Sequence, residues 1–279
     1  MTWMAPRTVT EAVELKAEHP DATLVAGGTF VGILTRQGLL ASDDWISLQN
    51  VRELRELSTS SDLALGAMVT HRRIELDPDI AAGWPGVRSV FAVVASPRVR
   101  NAATIGGVLG DADYASDPPA MLVALEAWVE ALSVRGLRRI PVADLILGHY
   151  QTSLEEDELI TRVLVPRGRY HVTYRKLRTR SREDRPSVAV AASFHDGRVS
   201  VVVGAVADRP QVFPDLCATW VPGDSASARE IAAGYADRIQ PISDNRGSAT
   251  YRTRMIAVEV RRALDTLTPA VLTPPAART

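Results

Sequence analysis

Residues 25–29 read Val-Ala-Gly-Gly-Thr, and this stretch decides how the start of the sequence is interpreted. The apolar run 22–26 suits a buried strand, and the apolar spacing of Phe30, Ile33 and Leu34 is typical of a helix. Glycines let the backbone turn sharply and approach a ligand closely. A strand, two glycines and a helix start therefore favour an anion such as a phosphate, although no lysine follows as in a Walker A motif. A plain turn is the alternative.

A second glycine pair lies in residues 103–107, Ala-Thr-Ile-Gly-Gly. The residues after it, 108–119, are rich in small side chains, and we expect a long loop that lies flat against a cofactor. The aspartates in this loop lack the spacing of a calcium loop. Because Ser116 and Asp117 precede Pro118, either is also a candidate helix N-cap, a role that is compatible with ligand binding.

A basic run forms the third signal. Lys176, Arg178 and Arg180 occupy alternate positions, which share one face if a strand extends that far. Such a face can approach a pyrophosphate or a protein partner. The alternative is a solvated strand edge.

The composition excludes several classes of protein. With 279 residues, the chain is expected to form about two domains or one large domain. A net charge of -1 and 5% aromatic residues argue against nucleic-acid binding. The single cysteine, Cys217, excludes a disulfide framework and an iron–sulfur cluster held by this chain alone.

Side chains with independent chemistry are scarce. The histidines show no metal-ligand spacing, and the sequence contains no nucleophile elbow. We therefore expect no metal site and no catalytic side chain, and we assign the chemistry to a bound organic cofactor. No signal peptide and no apolar run long enough to span a membrane is seen, so we expect a cytoplasmic location.

The pattern of elements suggests three parts. Residues 1–57 contain a small β-α-β unit, and 58–168 combine strands with apolar helices, one of which is predicted over 85–96. In residues 169–279, three alternating runs predict strands, and two helical segments follow them. The tail 268–279 contains three prolines and is predicted to be frayed or disordered.

The two glycine segments, followed by Ser-Asp-Pro-Pro at 116–119, form a more specific pattern than either segment alone. In this combination the chain resembles the FAD-binding medium subunit of the molybdenum hydroxylases, the group of xanthine dehydrogenase, carbon monoxide dehydrogenase and 4-hydroxybenzoyl-CoA reductase. Matching segments follow in the same order at 158–166 and 174–192. The resemblance thus covers nearly the whole chain.

The resemblance implies an α+β fold of the vanillyl-alcohol-oxidase (PCMH) type. In this fold two α/β subdomains, here 1–57 and 58–168, clamp FAD. A C-terminal subdomain, here 169–279, consists of a three-stranded antiparallel sheet with helices.

The resemblance also implies which residues bind FAD. By the family pattern, 26–30 wrap the pyrophosphate, 104–107 form a second cradle, and Asp117 bonds FAD hydroxyls. Ile160 would lie beside the isoalloxazine, and Lys176 near the flavin or adenine end. The full set of implied cofactor-binding residues is Val25, Ala26, Gly27, Gly28, Thr29, Phe30, Val31, Thr104, Ile105, Gly106, Gly107, Tyr114, Ser116, Asp117, Ile160 and Lys176.

The chain departs from the family pattern at three places. Val108 stands where the family often has asparagine, which removes one polar contact to FAD. Tyr114 replaces a common proline, and its ring either stacks near the flavin or fills space. Residues 185–189 replace the usual D-x-A string, which bears on the identity of the electron acceptor.

The function implied by the resemblance is electron transfer. A large molybdopterin subunit oxidises the substrate, and electrons pass through a small subunit with [2Fe–2S] clusters to FAD on this chain. FAD then delivers them to NAD, a quinone or oxygen. The expected assembly is a heterotrimer or a dimer of heterotrimers. Two alternatives stay open: a self-contained FAD-dependent oxidoreductase, and a non-catalytic flavin-nucleotide-binding module for assembly or sensing.

Overall fold

The computed structural model describes residues 2–39 and 42–267, and these residues form two compact units. The first unit comprises the described residues up to 113 together with 126–167. The second comprises 114–125 and the described residues from 168 onward. The segment 114–125 therefore packs with the C-terminal part of the chain. The three-part division at 57 and 168 stays a prediction, and the predicted frayed tail 268–279 lies outside the described residues.

Helices and strands both contribute to each unit, as expected for a mixed fold. The strands that the structure describes form four sheets. In chain order the strands are β1 (Thr2–Met4), β2 (Thr23–Val25), β3 (Asp44–Ser47), β4 (Leu57–Ser58), β5 (Leu63–Gly66), β6 (Trp128–Ser133), β7 (Gly136–Pro141), β8 (Ile146–Gly148), β9 (Gln151–Thr152), β10 (Leu159–Val165), β11 (His171–Leu177), β12 (Val188–His195), β13 (Arg198–Gly204) and β14 (Gln211–Val212).

Most helices are short, and several begin at a proline or at a capping side chain. In chain order the α-helices are α1 (Val9–Glu18), α2 (Val31–Arg36), α3 (His71–Leu76), α4 (Pro78–Gly83), α5 (Pro85–Phe91), α6 (Pro97–Ala102), α7 (Ile105–Asp111), α8 (Pro118–Ala124), α9 (Val142–Leu145), α10 (Pro214–Cys217), α11 (Ser225–Arg238) and α12 (Ala249–Thr266). Among the described residues, no helix is both long enough and apolar enough to cross a bilayer.

A small parallel sheet opens the first unit and supports the first glycine segment. Its strand order is β1-β3-β2, and β2 runs parallel to β3 with α2 between them in sequence. The Thr8 hydroxyl caps α1 by accepting from the Glu11 N–H at 3.1 Å. The predicted β-α-β unit is confirmed, and residues 26–30 leave the carboxyl end of β2.

A five-stranded antiparallel sheet of order β4-β5-β10-β6-β7 forms the rest of the first unit's framework. The central strand β10 and its neighbour β5 bury Val163, Leu63 and Leu65 completely. The pairing of β10 with β6 shifts register between Ile160 and Arg162. This irregularity lies beside the buried Ile160, one of the implied site residues.

The second unit is an antiparallel sheet of order β11-β12-β13-β14 packed against α11 and α12. The same unit holds α8, because the Ser193 hydroxyl on β12 donates to the Ala124 carbonyl at 2.6 Å. The prediction of a three-stranded sheet is wrong by one strand. With only two residues, β14 is too short to show the alternation by which strands are recognised in sequence.

Three local predictions also need correction. Residues 108–119 are not one long loop, because α7 covers 105–111. Its glycines obscure the apolar period, while the Thr104 hydroxyl caps it by accepting from the Gly107 N–H at 3.1 Å. The apolar helix predicted over 85–96 ends at Phe91, and Ala95 has a φ of 41°. The strand through the basic run ends at Leu177, before the arginines that follow.

Candidate functional site

The first glycine segment presents backbone donors at the surface of the first unit. Val25 is buried at the end of β2, while residues 26–31 are all partly exposed. Within residues 2–39 and 42–267, the N–H groups of Gly28, Thr29 and Phe30 donate to no protein acceptor. Gly28 has a φ of +68°, a conformation that favours glycine. The segment therefore offers consecutive N–H groups of the kind that bind anions.

The two glycine segments lie against each other. A Cβ added to Gly27 would come within 1.9 Å of the Ala102 carbonyl oxygen, so only glycine allows this approach. A Cβ on Gly107 would lie 3.7 Å from the Ala26 side chain. The sequence separates these segments widely, and the fold of the first unit brings them together.

The second glycine segment directs its own donors inward. The Ile105 N–H donates to the Val69 carbonyl at 3.0 Å, and the Gly106 N–H donates to the Ala67 carbonyl at 2.9 Å. The Gly107 N–H is taken by the Thr104 hydroxyl, and Thr104 is itself buried. The segment therefore supports the first loop and offers a ligand its partly exposed glycine surface, rather than a second set of N–H donors.

An aromatic pair beside the first loop was not predicted from the sequence. The Phe30 ring lies 5.2 Å from the Tyr150 ring, and His149 lies 3.7 Å from Tyr150. Tyr150 adopts a φ of +59°, which is unusual for a bulky residue, and its N–H donates to the Ala112 carbonyl at 3.1 Å. No sequence signal links Tyr150 to Phe30, because the contact depends on the tertiary fold.

In the second unit, Asp117 is the centre of a buried polar cluster. Its carboxylate accepts from the Tyr174 hydroxyl at 2.6 Å and from the Lys176 ammonium at 2.8 Å. The Lys176 and Asp117 side chains are each only 4% exposed. Although Asp117 precedes α8, its side chain makes no capping hydrogen bond. Asp117 thus occupies the N-cap position of α8, as predicted, but its carboxylate bonds residues of β11 rather than the N–H groups of the helix.

Burial and neighbouring charges act in opposite directions on this cluster. Burial raises the pKa of the Asp117 carboxyl, and the Lys176 ammonium partly offsets that rise. Burial and the Asp117 charge raise the pKa of the Tyr174 hydroxyl well above its ordinary value. Tyr174 was missed in the sequence. Its position two residues before Lys176 on one strand was the available signal, because such residues share a face.

Tyr114 belongs to a second polar cluster of the same unit. Its hydroxyl donates to Asp244 at 2.5 Å, and the Arg246 guanidinium lies 5.4 Å from its ring centre. The fully buried Arg252 donates to the same Asp244 at 2.8 Å. Burial would raise the pKa of Asp244, but hydrogen bonds from Tyr114, the Arg246 N–H and Arg252 lower it to about 2. The Tyr114 ring is thus held at the start of the 114–125 segment.

The structure distributes the predicted site residues over both units. The basic face predicted beyond Lys176 is not formed, since Arg178 follows the end of β11 and donates to the Arg182 carbonyl at 2.7 Å. No group of three potential metal ligands occurs among the described residues. The first unit holds Val25–Val31, Thr104–Gly107 and Ile160, and the second holds Tyr114, Ser116, Asp117 and Lys176.

Known proteins share this architecture. Residues 1–168 match the family model described as the FAD binding domain in molybdopterin dehydrogenase. The nicotine 6-hydroxylase medium subunit of Paenarthrobacter nicotinovorans is 33% identical over 269 residues, which cover 94% of this chain and 95% of that protein. This chain belongs to the FAD-binding medium subunits of the molybdenum hydroxylase family.

Solved structures of relatives agree with that membership. A chain of quinoline 2-oxidoreductase from Pseudomonas putida 86 has a TM-score of 0.91 and 30% identity, with 98% of each chain covered. The carbon monoxide dehydrogenase medium chain of Afipia carboxidovorans is 29% identical over 93% of this chain and 94% of its own length. The medium subunit described here is therefore a chain of an FAD-dependent oxidoreductase, and its residues 1–168 form the FAD-binding domain.

Proposed function

We propose that this chain holds FAD with the loop 26–30 and transfers electrons within a molybdenum-containing hydroxylase or dehydrogenase. The observation that carries the proposal is the loop itself. Strand β2 ends at the buried Val25, and the partly exposed residues Gly28, Thr29 and Phe30 follow it. Their N–H groups donate to no acceptor among the described residues, and Gly28 takes a conformation that favours glycine. Consecutive backbone donors of this kind suit a pyrophosphate. The rest of the implied fold, of the vanillyl-alcohol-oxidase type with parts 1–57, 58–168 and 169–279, belongs to the same proposal.

Each implied residue has a task in holding the cofactor. The buried Val25 holds the start of the loop, and Gly27 allows the loop to approach Ala102 closely. Residues 104–107 pack against the loop and support it. Asp117, fixed by Lys176 and Tyr174, accepts from hydroxyls of the FAD chain. The remaining implied residues supply apolar or aromatic surface to the rings, and they are Phe30, Val31, Tyr114 and Ile160, with Ser116 beside Asp117.

FAD, when bound, supplies redox chemistry that exchanges electrons both singly and in pairs. The chain's own residues bind and orient the cofactor and limit its contact with water. A proton-transferring side chain is not required for this task. The one cysteine gives no support for a further redox centre, because Cys217 is buried with its sulfur 3.4 Å from the Tyr235 hydroxyl, and burial raises the pKa of its thiol.

The proposed partners are a large subunit with a molybdopterin cofactor and a small subunit with [2Fe–2S] clusters, in a heterotrimer or a dimer of heterotrimers. Relatives named as medium chains support this division. The single cysteine fits it, because iron–sulfur clusters need several cysteine ligands. The proposed terminal acceptor is NAD, a quinone or oxygen. The cytoplasmic location stays a prediction.

The proposal is tested by isolating the tagged chain from the cells that produce it and measuring flavin, molybdenum, iron and acid-labile sulfide in the purified material. We expect all four to co-purify with the chain, and reduction of the iron–sulfur clusters to be followed by reduction of the flavin. A Gly28→Val chain isolated in parallel is expected to bring the metals without flavin. A wild-type chain that carries flavin and oxidises a substrate without any metal would overturn the proposal in favour of a self-contained flavoenzyme.

A further inference from the structure

One buried histidine bonds directly to the backbone of the second glycine segment. His71 is the first residue of α3 and is 2% exposed. Its ring Nε2 lies 3.2 Å from the Thr104 carbonyl oxygen, and its backbone N–H donates to the Ala103 carbonyl at 2.9 Å. Sequence patterns do not single out His71, because it matches no metal or catalytic spacing.

The ring of His71 completes a strip of hydrogen bonds between two distant segments. Residues 67–71 and 103–106 are joined by a bridge between Thr70 and Thr104 and by the inward N–H groups of Ile105 and Gly106. All of these other bonds run from backbone to backbone. In this strip the bond of His71 is made by a side chain. A substitution at His71 therefore removes that bond and leaves the backbone bonds of the strip in place.

The geometry fixes the tautomer of His71. A carbonyl oxygen only accepts, so the proton is on Nε2, and Nδ1 is left as an acceptor. Among the described residues Nδ1 has no hydrogen-bond partner, although it is buried. The edge of Phe91 packs against the ring with centres 4.8 Å apart. An apolar residue would fill this place without an unmet acceptor, so the bond to Thr104 is what the polar ring contributes here.

The strip that includes His71 adjoins the residues that contact the first glycine loop. Ala102 is the last residue of α6, and Ala103 connects it to Thr104. The Ala102 carbonyl is the group that only a glycine at 27 can approach. A shift of Thr104 would therefore move the surface on which Gly27 rests.

We propose that His71 is a positioning residue, which holds the Thr104 carbonyl and thereby fixes the first glycine loop in the shape that binds FAD. The proposal rests on the proposed function, since it assigns a role at that site. His71 itself touches neither the cofactor nor any reacting atom. Its contribution is the alignment of residues 102–104 against Gly27.

The test compares His71→Leu with His71→Gln in the full chain. Leucine keeps apolar volume but removes the donor, while the glutamine amide carries a donor at a similar distance from the backbone. Loss of one hydrogen bond in the support predicts a dissociation constant for FAD raised about tenfold in His71→Leu. His71→Gln is expected to stay within about threefold of the wild type. Ile74→Val is the control, because Ile74 is fully buried in the same helix. We expect this variant to lose packing but to keep the wild-type affinity for FAD.

Two results would overturn the proposal: unchanged affinity in His71→Leu, or equal loss in both His71 variants. Amide hydrogen exchange of Ile105 and Gly106 in the flavin-free chain gives an independent readout. We expect faster exchange in His71→Leu, with protection restored in His71→Gln. A wild-type chain that binds no FAD would refute the proposed function, whereas the exchange rates would still decide whether His71 positions the strip.

Discussion

Replacing Gly28 by alanine separates the binding role of the loop from its folding role. A Cβ at this position meets no atom within 4 Å, so the folded chain has room for it. The φ of +68° is strained for alanine, at a cost of about 1–2 kcal/mol. Gly38 provides a matched control, because it has a φ of +66° and equally open space but lies beyond the end of α2. Gly28→Ala and Gly38→Ala are therefore expected to lose similar stability.

The effect on cofactor affinity is expected at Gly28 alone. The added methyl group occupies the open side of the loop, where a phosphate would approach the N–H groups of Gly28, Thr29 and Phe30. Loss of one charge-assisted hydrogen bond costs about 1.5–3 kcal/mol, which corresponds to a dissociation constant raised about 10- to 150-fold. Gly28→Val places a branched side chain there and is expected to retain no flavin.

The assay is titration of the flavin-free variants with FAD, followed by flavin fluorescence, with urea unfolding of the same samples. The predicted result is a large affinity loss in Gly28→Ala and wild-type affinity in Gly38→Ala. Wild-type affinity in both variants would refute the assignment of the loop. Equal loss in both would show that backbone strain, rather than blocked approach, weakens binding.

Three further predictions concern the buried polar groups. Asp117→Ala is expected to weaken FAD binding by about 1–3 kcal/mol, measured as the dissociation constant, and an unchanged constant would remove Asp117 from the site. Burial, with the Arg100 charge, lowers the pKa of His71 from 6.5 to about 4, so the unfolded state binds a proton first as pH falls. The free energy of unfolding should therefore drop by up to about 3 kcal/mol between pH 6.5 and 4, and urea titrations of His71→Gln should lack this component. Tyr114→Phe removes one donor to Asp244 and is expected to lower the free energy of unfolding by about 0.5–1.5 kcal/mol, measured by urea unfolding. An unchanged free energy of unfolding would contradict the hydrogen bond between Tyr114 and Asp244.

Local sequence patterns predicted the elements that depend on neighbouring residues. The β-α-β unit around residues 25–29 and the three long strands after 170 follow from apolar spacing and turn residues. The helix α7 was missed because its glycines interrupt the helical spacing of apolar residues. The strand β14 was missed because two residues are too few to show the alternation of a strand. Both errors come from segments whose structure is decided by contacts elsewhere in the chain.

The candidate site shows the same limit. Residues 26–30 and Asp117 are candidates because motif and resemblance agree on them, and their role in binding FAD stays a prediction. Tyr174, Tyr150 and His71 were not predicted, since each acts through a partner far away in sequence. The inward direction of the N–H groups of Ile105 and Gly106 was also not predictable from the sequence, because it depends on their pairing with Val69 and Ala67.

The central claim is that this chain by itself holds FAD. The most direct measurement is the absorption spectrum of the chain purified alone, with mass spectrometry of the ligand released on denaturation. We predict the flavin absorption bands, one FAD per chain and a released compound with the mass of FAD. A colourless chain that also takes up no added FAD would contradict the claim.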